Sequence, residues 1–238
     1  MTEHAILTPE DHGDLRIRTE RTAELGDAVM YAITVPSEFR QVQGDYPILF
    51  RLDPERDGFT ALAIFGFEAG ENLYLDDDRW DARGRPLSMD IQPFLIGGGV
   101  EDEGPKQVHI DMAHPRVGGG EGVRAFDEHG KPSPYLETII EKLGALDAGY
   151  RESHDFFDAL RRYDLLEPLI LEVTLDDGSA NRLVGFHVID EQKLRALDAG
   201  ALGELHAAGH LMPIFMALAS LANLSGLIAR KNRRMRHG

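Results

Sequence analysis

Two stretches of this chain are built to one plan: YPILFRLDPERDGFTALAIFGFEAGENL, residues 46–73, and EPLILEVTLDDGSANRLVGFHVIDEQKL, residues 167–194. Each has a proline-led apolar run, an Asp-Gly pair, a second apolar run reaching Gly-Phe, and an acidic opener to leucine. Landmarks recur at nearly constant offsets: Pro47 and Pro168, Asp57 and Asp177, Gly66 and Gly185. Asp-Gly between partly alternating apolar runs reads as a β-hairpin, because glycine supplies the positive φ a tight turn needs. Two hairpins commit the chain to antiparallel sheet. Shorter strands are expected over AVMYAITV (28–35), through Leu73 and Leu75, and over QVHIDMA (107–113).

The rest of the chain turns helical. Ser133-Pro134 is an N-cap followed by a first-turn proline, opening a helix over YLETIIEKLGAL. A second helix is expected over ESHDFFDALRRYDLL, Asp190 is placed to cap EQKLRAL, and a short helix ends near Gly209. The fold class is therefore α+β, a mostly antiparallel sheet built from hairpins with a helical C-terminal half. One domain over 1–238 is the expectation, with a subdivision, if any, into a β-rich 1–130 and a helix-rich 131–238 holding one hairpin.

The segment LMPIFMALASLANLSGLIA, Leu211 to Ala229, has no charged residue and runs into five cations between Arg230 and Arg236. Its length and basic end resemble a membrane span. However, Pro213, Ser220, Asn223, Ser225 and Gly226 dilute it, and its large apolar residues recur at helical spacing, so a buried core helix is expected. The basic residues beyond read as a flexible solvated tail, or as cations for an acidic partner or the chain's own acidic body.

Net charge of −16 opposes nucleic-acid binding, and the absence of cysteine excludes disulfides, thiolate zinc sites and thiol nucleophiles. The N-terminus has no basic region followed by an apolar run, so a cytoplasmic location is expected. Neither GGGVEDEG nor GGGEG precedes Lys-Ser/Thr, so neither is a phosphate loop, and LDDDRWD lacks the glycine and alternation of a calcium loop.

The chemistry-bearing stretch is HIDMAH, His109 to His114. His109 and Asp111, two apart on a strand, face one way, as two ligands of a 2-His-1-carboxylate iron site must. His187 is the best distal histidine, and Arg195 is a candidate for holding the carboxylate of 2-oxoglutarate. Such an oxygenase needs about eight strands, whereas the pattern supplies six or seven and the last fifty residues are helical. The plainer expectation puts His109 at a strand edge, with Asp111 capping the turn that follows. Tyr74, Trp80 and Phe94 are the binding candidates, since aromatics near carboxylates serve sugar or peptide recognition; for a lone tryptophan, a core position is the plainer expectation.

YPILF followed by Asp53, then ENLYLDDDRWD, QPFLI, AFDEHGKPSPYLE, GFHVIDEQKL and AGHLMPIFMALASLANLSGL together resemble the SapC-like family of bacterial proteins over nearly the whole chain. The family pattern favours an Arg-rich RRYPF where this chain has GRPLSMDIQPF. The resemblance implies a link to surface-layer biogenesis or to loci of outer-membrane nutrient receptors, and brings no catalytic set. The expected function is thus a non-enzymatic accessory or binding protein without cofactor, for an unknown protein or small-molecule ligand. The alternative is an Fe(II)/2-oxoglutarate-dependent oxygenase using His109, Asp111, His187 and Arg195.

Overall fold

The computed structural model describes residues 3–53, 58–76, 79–97, 106–118 and 120–237. Its N-terminal part runs β1 (His4–Ile6), α1 (Pro9–His12), β2 (Arg16–Ile17), β3 (Tyr31–Thr34), α2 (Phe39–Val42), β4 (Ile48–Asp53), β5 (Gly58–Ile64), β6 (Leu75–Asp76), β7 (Arg79–Trp80) and α3 (Leu87–Asp90). There follow β8 (Phe94–Gly97), β9 (Gln107–Asp111), β10 (Val123–Arg124), α4 (Pro134–Arg162), β11 (Leu166–Thr174) and β12 (Ala180–Ile189). The chain ends with α5 (Glu191–Ala196), α6 (Ala199–Ala207), α7 (Leu211–Ser220) and α8 (Asn223–His237). The α+β class is as expected. Strands outnumber those legible in the pattern because β2, β6, β7 and β10 are two residues long, too short for a period-2 signature. Asp57, Asp77, Asp78 and most of GGGVEDEG lie outside the described residues.

Two compact units result, and they do not follow the expected division at 130/131. The first comprises Met1–Ala28, Leu75–Asp81 and Leu87–Ala148; the second comprises Val29–Tyr74, Ala82–Pro86 and Gly149–Gly238. Helix α4 gives its first half to one and its second half to the other. Two helices were expected there, over YLETIIEKLGAL and ESHDFFDALRRYDLL. Instead α4 is continuous over 29 residues, and Gly149 serves packing. A Cβ on it would lie 2.6 Å from Ser37 Oγ and 2.7 Å from Val35 Cγ2, so only glycine lets the helix approach this closely. The Ser133 cap is present, its Oγ accepting the Leu136 N–H at 3.3 Å.

Unit one holds the three-stranded sheet β1-β9-β8 and the ribbons β10-β2 and β6-β7. Ile17, Ile91, Phe94, Ile110, Phe126 and Leu136 form its apolar core. Beside them lies a buried charge cluster. Arg116, 1% exposed, sends Nη2 to Asp27 Oδ2 at 2.5 Å, and Asp27 is fully buried. Asp27 also takes Arg21 and the Thr22 N–H, while Arg21 and Lys142 both reach Asp90.

Unit two is a five-stranded antiparallel sheet in the order β11-β12-β4-β5-β3. Both hairpins seen in the sequence are in it, joined where His187 of β12 pairs with Phe50 of β4. Gly178 turns the second hairpin at φ 85°, with Ser179 N–H donating to Asp177. A bulge places Val184 and Gly185 opposite Ile170, with Gly185 at φ 85°.

The C-terminal apolar segment is two helices, broken at Leu221-Ala222, rather than one. By length and composition it is capable of crossing a membrane, and 28% of its most apolar window is buried. Ile214, Ala217, Ser220 and Leu227 form the buried face, while Met212 and Phe215 are 53% exposed. Core helix describes one face only. Ser220, which dilutes the apolar run, ties it to the sheet: its Oγ accepts the Ile48 N–H at 2.8 Å and donates to Ala217 O at 2.6 Å. Ser220→Ala strands a buried N–H, an expected loss of about 1–3 kcal/mol in urea unfolding, whereas the exposed Ser225→Ala should cost under about 0.5 kcal/mol.

The basic end is not a free tail. It forms the last turns of α8 and lies against acidic and carbonyl groups of its own unit. Lys231 meets Glu71 at 2.6 Å and Glu68 at 3.2 Å, and Arg236 meets Asp176 at 2.7 Å. Arg234 donates to Asn72 O, and Arg230 sits 4.5 Å above the Tyr74 ring.

Candidate functional site

The site lies in unit two and grows out of one row of the sheet. His187 pairs with Phe50, Phe50 with Ala61, and Ala61 with Thr34. Directly opposed residues on neighbouring strands point to one face, so the row reads His, Phe, Ala, Thr across four strands. The second half of α4 covers this face, with the Phe157 ring edge-on to Phe50 at 6.1 Å. Ala61 is the small member between two larger ones, and above it the helix and sheet leave a cleft of about 270 Å³. The helical wall is the stripe Tyr150, Ser153, His154, Phe157, Asp158 and Arg161, spaced to fall on one face. Thr34, Asp53, Phe59 and Ala61 line the other side.

Floor and rim differ in character. Thr34 and Ala61 are 2% and 1% exposed, and Ser153 is buried with its hydroxyl spent on Tyr150 O at 2.6 Å. Thr34 Oγ1 is buried and has no hydrogen-bond partner. A buried hydroxyl left unmatched costs about 1–3 kcal/mol, so its presence on the floor of a cleft needs a reason. The rim is solvated: Tyr150 is 43% exposed, with its ring edge-on to His154 at 5.7 Å. Arg161 lies 5.7 Å over the Phe59 ring. His187 stands edge-on to Phe59 at 5.1 Å. Its Nδ1 is a second buried atom without a partner, and burial pushes its pKa down, favouring the neutral ring.

The residues singled out in the sequence lie elsewhere or do other work. Tyr74, Trp80 and Phe94 are core, at 3%, 7% and 2% exposed, and fall in different units. Tyr74 gives its hydroxyl to Asp45 O at 2.6 Å and packs on Tyr46; burial raises its pKa. No ring of the three presents a face to a ligand. His109 and Asp111 share β9 in unit one, whereas His187 and Arg195 belong to unit two. Asp111 accepts the N–H groups of Glu3 at 2.9 Å and Ala113 at 3.1 Å, and the first of these chiefly holds its pKa down. The His109 ring occupies the space over Gly97, where a Cβ would come within 2.2 Å of Nε2. Arg195 is on α5, paired with Glu191 at 2.9 Å. Among the described residues no three His, Asp or Glu side chains gather to hold a metal.

Thr34 was legible in part. In AVMYAITV the pleat turns Ala32 and Thr34 inward together, and a threonine at an inward position of an apolar strand asks for a partner. His154 and Asp158 carry no signal beyond their helical spacing.

These features define a two-unit α+β protein with a solvent-open cleft and, among its described residues, no group of side chains assembled to hold a metal. The chain matches the SapC family model over residues 7–227 of 238 and belongs to the SapC family. No curated protein and no solved structure matches it.

Proposed function

We propose that this SapC family member is a non-enzymatic binding or accessory protein that receives a small polar ligand in the α4 cleft and works without a resident cofactor. The observation that carries this reading is Thr34 Oγ1, buried and unmatched on the cleft floor. A binding protein accepts that cost in the free state because the ligand supplies the missing partner. The link to surface-layer or outer-membrane nutrient-uptake loci that the family resemblance implies belongs to the same proposal: an accessory protein there would meet small polar solutes.

Thr34→Val tests the reading without knowledge of the ligand. The swap keeps shape and removes the hydroxyl, so the free protein should be unchanged or stabilised by up to about 1 kcal/mol in urea unfolding. A loss of more than about 1 kcal/mol would show that the hydroxyl is satisfied within the fold, and the proposal would fall.

A further inference from the structure

The groups around the cleft divide into those already engaged and those still open, and the open ones define a ligand. Asp53 and Arg161 have partners within the protein, and Arg161 is also spread over the Phe59 ring. Thr34 Oγ1 is open on the floor. On the rim the Tyr150 ring, the His154 imidazole and the Asp158 carboxylate are exposed on consecutive turns of α4.

A hydroxyl both donates and accepts, an imidazole offers two ring nitrogens, and a carboxylate accepts from two donors. The lining sets the carboxylates of Asp53 and Asp158 against the one guanidinium of Arg161, so an anion is disfavoured and the open groups call for donors. A ring with hydroxyls on its edge and C–H groups on its face satisfies all of these groups. Its hydroxyls meet His154 and Asp158 at the rim, its apolar face lies on Tyr150, and its inner edge comes down over Thr34. The cleft is slightly smaller than the usual range for drug-sized ligands, which suits one ring rather than a chain.

We infer that the α4 cleft binds a neutral, polyhydroxylated molecule the size of a single sugar ring, through Thr34, His154, Asp158 and the face of Tyr150. This rests on the reading of the cleft as a binding site and specifies what fills it.

The test is methyl NMR of the full chain labelled at threonine methyls. D-glucose, D-galactose and N-acetyl-D-glucosamine are the neutral probes, with glutamate as the anion and putrescine as the cation. At least one sugar should shift the Thr34 methyl saturably, and Asp158→Ala, on the exposed rim, should weaken that sugar about tenfold or more. Tyr150→Ala should weaken it as well, while Asp164→Ala, outside the cleft, should not. If glutamate or putrescine moves the Thr34 methyl and no sugar does, the neutral-ligand inference fails and the cleft reading stands. If none of the five moves it, both fail. A sugar shift indifferent to Asp158→Ala and Tyr150→Ala overturns the inference too.

Discussion

Asp27→Ala is expected to cost unit one about 3–5 kcal/mol. The Asp27 carboxylate is fully buried and accepts from Arg116 at 2.5 Å, the Thr22 N–H at 3.0 Å and Arg21 at 3.3 Å. Removing it leaves the Arg116 guanidinium at 1% exposure with no counter-charge. Arg116 cannot escape by swinging out, since its Nη1 also holds the carbonyls of Arg18 at 3.0 Å and Glu20 at 2.7 Å. Arg116→Met should cost less, because the carboxylate keeps Arg21 and the Thr22 N–H. The double variant Asp27→Leu/Arg116→Met should cost clearly less than the two single losses added, since both charges leave together. The single tryptophan, Trp80, is buried within unit one, so urea unfolding followed by its fluorescence reads the right unit. Strict additivity in the cycle would show that the two charges do not depend on one another.

Nothing in the sequence marks that pair. Asp27 precedes a strand and Arg116 opens a glycine-rich loop, both ordinary surface contexts, and 89 residues separate them. Periodicity reports on neighbours along an element, so a long-range buried ion pair leaves no trace in it. The hairpins were legible for the opposite reason: strand, turn and strand are local, and β4-β5 and β11-β12 lie where the Asp-Gly pattern puts them. Their union into one sheet through His187 and Phe50 was not legible, since one cross-strand pair needs no sequence signature. The continuity of α4 was not legible, since the link between the two expected helices gives no sign that Gly149 is there for close packing against Val35 and Ser37. The cleft was hidden by the same locality. It depends on a small residue, Ala61, falling between Phe50 and Thr34 across three strands, a coincidence of register rather than of sequence.

That register bears on the second large effect, a difference between two phenylalanines of the same unit, both 0% exposed. Phe65→Ala should cost about 4–5 kcal/mol and Phe50→Ala nearer about 3 kcal/mol, although the deleted volume is the same. Phe65 lies among rings, with Tyr46 at 5.0 Å and Tyr74 at 6.2 Å. The hydroxyls of both tyrosines are already given to Gly84 O and Asp45 O, so the void left there is apolar and stays dry. Phe50 instead stands in the row between Ala61 and His187, with Thr34 beyond Ala61. A void at Phe50 opens next to the unmatched Nδ1 of His187 and two positions from the unmatched Thr34 hydroxyl. Water entering it finds the partners that an apolar cavity denies it, and part of the loss is recovered. Urea unfolding of both variants, read by far-UV circular dichroism, decides the order. Equal costs, or a larger cost at Phe50, would mean that no water enters and that the polar atoms of this row are not open to a small polar guest. The ranking thus probes, through stability alone, the property on which binding at the cleft depends.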